Sequence, residues 1–179
     1  VYDNGLTEGI SDVAIYHVNQ QEYRRKPAMN GERWYPTATV LGDGRVMVDS
    51  GWGDYGVMDE TVEFYTPGAG WSDAYPSGFE PMFYPRQHLL PDGKVFNSGP
   101  ENLTRMFDPA VVSMTNTGWT EVDWTGYSST PGQWNREYGS SVLLPLTPEN
   151  AYNPEVMILG GFRTTPTDTT ELIDLGVAN

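Results

Sequence analysis

The chain contains no cysteine. Within its own residues this excludes disulfides, thiolate nucleophiles and cysteine-ligated zinc, and it removes cysteine usage as a guide to compartment. Cations are scarce as well: 10 Lys and Arg stand against 24 Asp and Glu, a formal net charge of −14. So few positive charges leave no surface for nucleic-acid phosphates or anionic membranes, and the acidic excess reads as a solvated outer face. No apolar run approaches the ~18 residues of a membrane-spanning helix. Helical periodicity is missing too, because apolar residues alternate instead of recurring every three or four. The two histidines, His17 and His88, lie far apart and outside any ligand-spaced cluster, so both read as ordinary strand residues. Paired carboxylates, a Ser-His-Asp order, a phosphate loop and a dinucleotide fingerprint do not stand out. The opening VYDNGLTEG is neither a signal peptide nor an initiator Met, and the expectation is a chain that begins as though cut from something longer.

Glycine, proline and aromatics are plentiful: 20 Gly, 14 Pro and 13% Phe, Trp and Tyr in 179 residues. This composition predicts an all-β fold of many short strands joined by tight turns, in a length that suits one domain. The strands repeat. YPTATVLGDGRVMVDSG (35–51) aligns with YPRQHLLPDGKVFNSG (84–99), one residue shorter, and more loosely with YGSSVLLPLTPENAYNPEVMILGG (138–161). Each reads as strand, turn, strand, ending in Ser-Gly or Gly-Gly, with Asp43 and Asp92 as turn formers that bond their own backbone. A second strand pair follows: ETVEFYT (60–66) then GAGWSDAY, and LTRMFD (103–108) then GWTEVDW. After TTELIDL (169–175) only GVAN remains. Ahead of the first copy, 11–19 and 21–26 read as the outer strands of a preceding unit.

Four antiparallel strands per unit of about 40–50 residues, with glycine after the second strand, describe blades of a kelch-type β-propeller. The expected division is one partial propeller domain. Residues 1–31 hold outer strands of a preceding blade, 32–80 and 81–128 are blades, and 129–179 is an incomplete blade. A ring takes about 4–8 blades, so this chain is not expected to close one alone. Uncovered sheet faces and edges are a liability. The remaining blades are therefore expected from another chain or from the rest of a processed polypeptide.

In such a blade the start of the first strand and the end of the second share one face. The residues assigned to that face are Arg33, Trp34, Tyr35, Trp52, Tyr55, Phe83, Tyr84, Arg86, Glu101, Arg136, Tyr138, Phe162 and Arg163. The opposite turns are plain by comparison. Aromatics and arginines thus gather where loops of successive blades converge, which is where function tends to sit.

The block RWYPTATVLGDGRVMVDSG (33–51), followed by VEFYTP, FYPRQHLLPDGKVFNSGP, YGSSVLLPL and PEVMILGG, resembles glyoxal oxidase and its relatives. These are the copper radical oxidases that include galactose oxidase. The resemblance runs from about Met29 to Leu175 and is most specific in its first block. It implies a secreted or cell-surface enzyme that oxidises aldehydes or primary alcohols with dioxygen and releases hydrogen peroxide. It carries the role of copper ligand and radical-bearing phenol to Tyr35, whose thioether-bonded cysteine would lie outside this chain. Trp34 would stack on that phenol, with Trp52 as the competing candidate. Arg86, near a substrate-binding arginine of the family, and Trp52 are the candidate substrate-binding residues. The implied substrate is a small aldehyde, alcohol or glycan. The chemistry suits the residue types: one copper needs a second one-electron store, a bound phenol supplies it, and a stacked ring shields it.

The family pattern also requires a cysteine, a later Tyr-His pair and a C-terminal histidine, and these have no match. Tyr16-His17 imitates the pair in the wrong order. A plainer reading stands beside the first, with Tyr35 as an inter-blade packing ring and Arg86 bonded to turn carbonyls. On that reading the chain is part of a non-catalytic kelch-like module that binds glycan or protein or builds an assembly. The glycosylation pattern Asn102-Leu103-Thr104 carries little weight in either.

Overall fold

Residues 9–53, 56–126, 136–162 and 166–176 are described by this computed structural model. Among them the regular elements are strands, with a 3-10 turn at Pro148–Asn150. All pairings are antiparallel and no sheet closes on itself. The result is an all-β chain of blade-like meanders, as in part of a β-propeller. The strands fall into two units, one reaching Tyr84 and including Val112–Thr117, the other made of Pro85–Val111 and the chain from Gly118 onward.

The first unit opens with a hairpin of β1 (Val13–His17) and β2 (Glu22–Lys26), in register from Val13↔Lys26 to His17↔Glu22. Next comes a sheet of β3 (Thr37–Val40), β4 (Val46–Asp49), β5 (Thr61–Thr66), β6 (Gly70–Trp71) and β7 (Tyr75–Pro76). Its order is β3-β4-β5-β6, with β7 also on β5. The Asp-Gly turn sets the register of β3 and β4. Asp43 Oδ1 accepts the Arg45 N–H at 3.0 Å, and Gly44 takes φ +86°, which suits a residue without Cβ. Met47, Val62 and Phe64 are fully buried. β5 departs from simple alternation: Val62, Glu63, Phe64 and Tyr65 are all buried. A carboxylate in that run needs a cation, and Arg33 supplies it.

In the second unit β8 (Gln87–Leu89), β9 (Val95–Asn97), β10 (Leu103–Phe107) and β11 (Trp119–Trp124) form a four-stranded meander. Its Asp92-Gly93 turn repeats the first, with Asp92 Oδ1 accepting the Lys94 N–H at 3.1 Å and Gly93 at φ +87°. A three-stranded sheet follows: β12 (Ser140–Leu143), β13 (Glu155–Leu159) and β14 (Thr170–Asp174). Leu90, Phe96, Val156 and Ile158 join the two sheets in one core, with Met106, Val122, Leu143, Ile173 and Leu175 packed around it. Burial on this scale is the main favourable term holding such short strands together. Asn102 and Thr104 are buried here, so the Asn-Leu-Thr pattern is not a surface acceptor for glycan.

Candidate functional site

The first unit gathers five aromatic rings. An isolated bridge pairs Trp34 with Trp52 through two backbone hydrogen bonds of 2.7 and 2.9 Å. This sets the two indoles side by side, 5.3 Å between centroids and 21° between planes. Tyr35 turns back on a left-handed backbone (φ +65°) and lays its ring on Trp34 at 3.8 Å and 20°. Tyr84, also left-handed at φ +50°, donates its N–H to the Tyr35 carbonyl at 3.1 Å and covers the other face of Tyr35 at 4.6 Å and 25°. Phe83 stands edge-on to Trp52 at 4.5 Å, and to Trp34 and Tyr35 at 6.0 Å each. Stacked and edge-to-face contacts are both favoured by ring quadrupoles, at about 0.5–1.5 kcal/mol per pair beyond burial. The left-handed conformation costs a non-glycine residue about 1–3 kcal/mol, and such strain gathers at functional sites.

The stack runs Trp52, Trp34, Tyr35, Tyr84. Tyr35 is 38% exposed and Tyr84 52% exposed, so the phenol end faces solvent. Partial desolvation pushes the Tyr84 phenol above its usual value, helped by the charge of the Tyr35 oxygen and a hydrogen bond with it.

Arg33, the residue before Trp34, is only 3% exposed. Its Nη1 donates to the Ser50 carbonyl (2.9 Å) and the Thr61 carbonyl (3.1 Å). Its Nη2 donates to Thr61 Oγ1 (2.9 Å) and Glu63 Oε1 (2.9 Å), with Asp59 at 3.2 Å. Glu63 accepts further from the Asn30 N–H (2.7 Å) and the Gly31 N–H (3.1 Å). Burial would raise the Glu63 carboxyl, but these N–H groups and the Arg33 guanidinium together hold it below the usual range. Gly51 makes room for this arrangement, since a Cβ there would meet Arg33 Cβ at 3.0 Å.

The second unit builds the same clamp with Arg136, fully buried. Nη1 donates to the carbonyls of Gly160 (2.6 Å) and Thr169 (3.3 Å), and Nη2 donates to Thr169 Oγ1 (3.0 Å) and to Glu171. Glu171 also accepts from the Gly126 N–H. Glu137 pairs with Phe162 by an isolated bridge, as Trp34 does with Trp52. Tyr138, left-handed at φ +56° like Tyr35, is 82% exposed, with Phe162 6.4 Å away. No ring lies between this arginine and this tyrosine.

Arg86 is also in the second unit, and it differs from both clamps. Its Nη1 donates to the Arg136 carbonyl at 2.9 Å, while its Nε and Nη2 have no acceptor among the described residues. Burial, with Arg136 nearby, lowers it to about 10. His88, two residues on, shares Nε2 with Ser141 Oγ at 2.7 Å and Ser98 Oγ at 3.3 Å. Burial and the Arg86 charge lower its imidazole to about 4, which leaves it neutral at neutral pH.

The expected site residues therefore divide. Trp34, Tyr35 and Trp52 come together in the first unit, and the ring on Tyr35 is Trp34; Trp52 stacks on Trp34 instead. Arg86 belongs to the other unit and bonds a backbone carbonyl. Arg33 and Arg136, assigned by topology to the aromatic face, are buried scaffold. Tyr55 and Arg163 lie outside the described residues. Sequence reasoning missed Tyr84 as the fourth ring of the stack, and Glu63 and Glu171 as the clamp carboxylates. A signal for the carboxylates was present: ETVE (60–63) and DTTE (168–171) share an acid-Thr-x-Glu pattern.

Among the described residues no group of three or more His, Cys, Asp or Glu could hold a metal ion. The phenol of Tyr35 suits a Cu(II) ligand in kind, and a chain without cysteine supplies no thiolate beside it. No protein-family model matches the chain, and no curated protein matches it. Among solved structures it is similar to a fungal alcohol oxidase described as novel, with catalytic diversity among the AA5 family, in complex with copper. The two are 15% identical over 93% of this chain, with a TM-score of 0.62. The match covers 37% of that chain, little more than a third of its length, and the likeness is one of fold.

Proposed function

We propose that the chain is a propeller segment of a secreted or cell-surface copper radical oxidase. The enzyme would act on a small aldehyde, a primary alcohol or a glycan, reducing dioxygen to hydrogen peroxide. The observation that carries this reading is the Trp34–Tyr35 pair, stacked at 3.8 Å with the phenol 38% exposed on a left-handed backbone. The fold likeness to an alcohol oxidase holding copper supports it. When bound, copper supplies one-electron redox chemistry, and its remaining ligands and the cysteine partner of Tyr35 would come from outside this chain. The roles of this chain's own residues follow from the geometry. Tyr35 offers an oxygen at the solvent-facing end of the stack. Trp34 covers one ring face, limits water there and fixes the ring plane. Arg33 holds the hairpin end from which both project, and Arg86 is the proposed substrate contact.

The test is metal analysis with a peroxide assay, using simple aldehydes and primary alcohols, on this chain assembled with its remaining blades. Bound copper and peroxide release are expected, both lost in Tyr35→Phe. An assembly without copper and without peroxide overturns the reading. The second reading, a non-catalytic kelch-like module, is favoured by repetition, since the Asp-Gly turn and the arginine clamp recur in both units and account for them as scaffold. Companion blades lacking a cysteine and a Tyr-His pair would decide for it.

A further inference from the structure

We propose that Tyr35 and Tyr84 form a site of oxidative cross-linking, in which the two phenols couple through an ortho C–C bond to give an intrachain dityrosine. Their rings overlap face to face at 4.6 Å and 25°, the approach in which the singly occupied π orbitals of two phenoxyl radicals meet. The backbone holds them there: the Tyr84 N–H donates to the Tyr35 carbonyl at 3.1 Å, and both residues sit in the left-handed region at φ +50° and φ +65°. Both rings reach solvent, at 38% and 52% exposure, so an outer-sphere oxidant has access. Trp34 is also stacked on Tyr35, at 3.8 Å, and among the described residues Tyr84 is the phenol stacked against Tyr35. The chain has no cysteine, so within it a thiol cannot trap a tyrosyl radical in place of a second phenol.

The step balances with a peroxide and a one-electron oxidant such as a haem peroxidase. Each phenol gives up one electron and one proton, and the peroxide takes both electrons and both protons to become water. The two radicals then pair through their ortho carbons. The ring hydrogens at those carbons move to the oxygens as aromaticity returns, so the chain loses two hydrogens in all. The coupling concerns phenols alone and does not depend on a copper site.

The first unit contains its own control. Tyr16 and Tyr23 face each other across the β1–β2 hairpin at 4.9 Å, but their planes are tilted by 50°, and neither sits on left-handed backbone. The intact chain would be treated at low concentration with haem peroxidase and hydrogen peroxide, then digested and mapped by mass spectrometry. The expected result is a monomer lighter by two hydrogens, with dityrosine fluorescence and a linked peptide joining Tyr35 to Tyr84. Tyr84→Phe keeps the stacked ring and is expected to lose that linked peptide completely, as is Tyr35→Phe. Three outcomes overturn the proposal: linkage confined to Tyr16 and Tyr23, linkage only between chains, or a monomer product unchanged in Tyr84→Phe.

Discussion

The same clamp is built twice, and only one copy carries a stack. Arg33 in the first unit and Arg136 in the second are both buried arginines. Each reaches a backbone carbonyl after its sheet's second strand, a threonine through carbonyl and hydroxyl, and a glutamate two residues beyond that threonine. Each is followed two residues later by a tyrosine on left-handed backbone. Between arginine and tyrosine stands Trp34 in one copy and Glu137 in the other. With Trp34 the tyrosine is sandwiched between rings; with Glu137, Tyr138 projects to solvent at 82% exposure. Arginine and left-handed tyrosine therefore recur in both units. The intervening tryptophan is what adds the stack.

The clamps are not equally buried, and this gives the largest expected effect. The Arg33 and Glu63 side chains are both fully buried, whereas Glu171 keeps 22% of its side-chain surface exposed. Arg33→Met strands a dry carboxylate and should cost about 3–5 kcal/mol of stability, the usual penalty for breaking a buried pair from one side. Arg136→Met leaves a carboxylate that water can reach, so a smaller loss is expected. Urea unfolding of the two variants measures both losses. An equal or larger loss for Arg136→Met would remove the distinction.

How much of this could be read in the sequence follows from how local each feature is. The Asp-Gly turns, the strand pairs and the all-β class depend on neighbouring residues and short periodicities, and they were legible. The stack was half legible, because Trp34 and Tyr35 are adjacent while Tyr84 arrives from the start of another repeat and its ring position depends on a left-handed φ. The clamps were hidden because Arg33 meets Glu63 across three strands, and a lone arginine beside aromatics looks like a site residue. Glu63 sits in an apolar run where alternation predicts one face wet, and only its bonds to Arg33, Asn30 and Gly31 explain its burial.

If Trp34 alone distinguishes the two copies, Trp34→Glu should make the first resemble the other. The substitution deletes stacking on Tyr35 and Trp52 and an edge contact with Phe83. At about 0.5–1.5 kcal/mol per aromatic pair, a loss of about 2 kcal/mol is expected. Tyr35 should then become more exposed, read as faster iodination of its ring. Unchanged Tyr35 reactivity would show that Tyr84 and Phe83 hold the phenol without the indole.

A pH titration separates the units by a smaller effect. In the second unit His88 is lowered from 6.5 to about 4 by burial and then by Arg86. The unfolded chain therefore binds this proton more readily than the folded one. The His88 contribution to stability is intact above about pH 6.5, and it declines as pH falls toward 4. In the first unit Glu63 is lowered from 4.5, so its contribution is lost only as pH falls below that value. His88→Gln should abolish the upper limb and leave the lower one. Glu63→Gln should do the reverse. A single limb that neither substitution alters would contradict this division.

The smallest expected effect is the reverse exchange, Glu137→Trp. Glu137 is partly exposed and already bridges to Phe162 by backbone, so the clamp around Arg136 does not need its side chain. Stability should change by less than about 1 kcal/mol, in the range of a surface substitution. If backbone geometry alone directs the ring, the new indole should settle on Tyr138, whose left-handed φ of +56° matches the +65° of Tyr35. Quenching of tryptophan fluorescence that is relieved in Glu137→Trp/Tyr138→Ala would show that contact. If the indole stays solvent-exposed, the stack at Trp34 also needs the rings around it. Trp52 and Phe83 would then matter to the stack as much as the tryptophan between Arg33 and Tyr35.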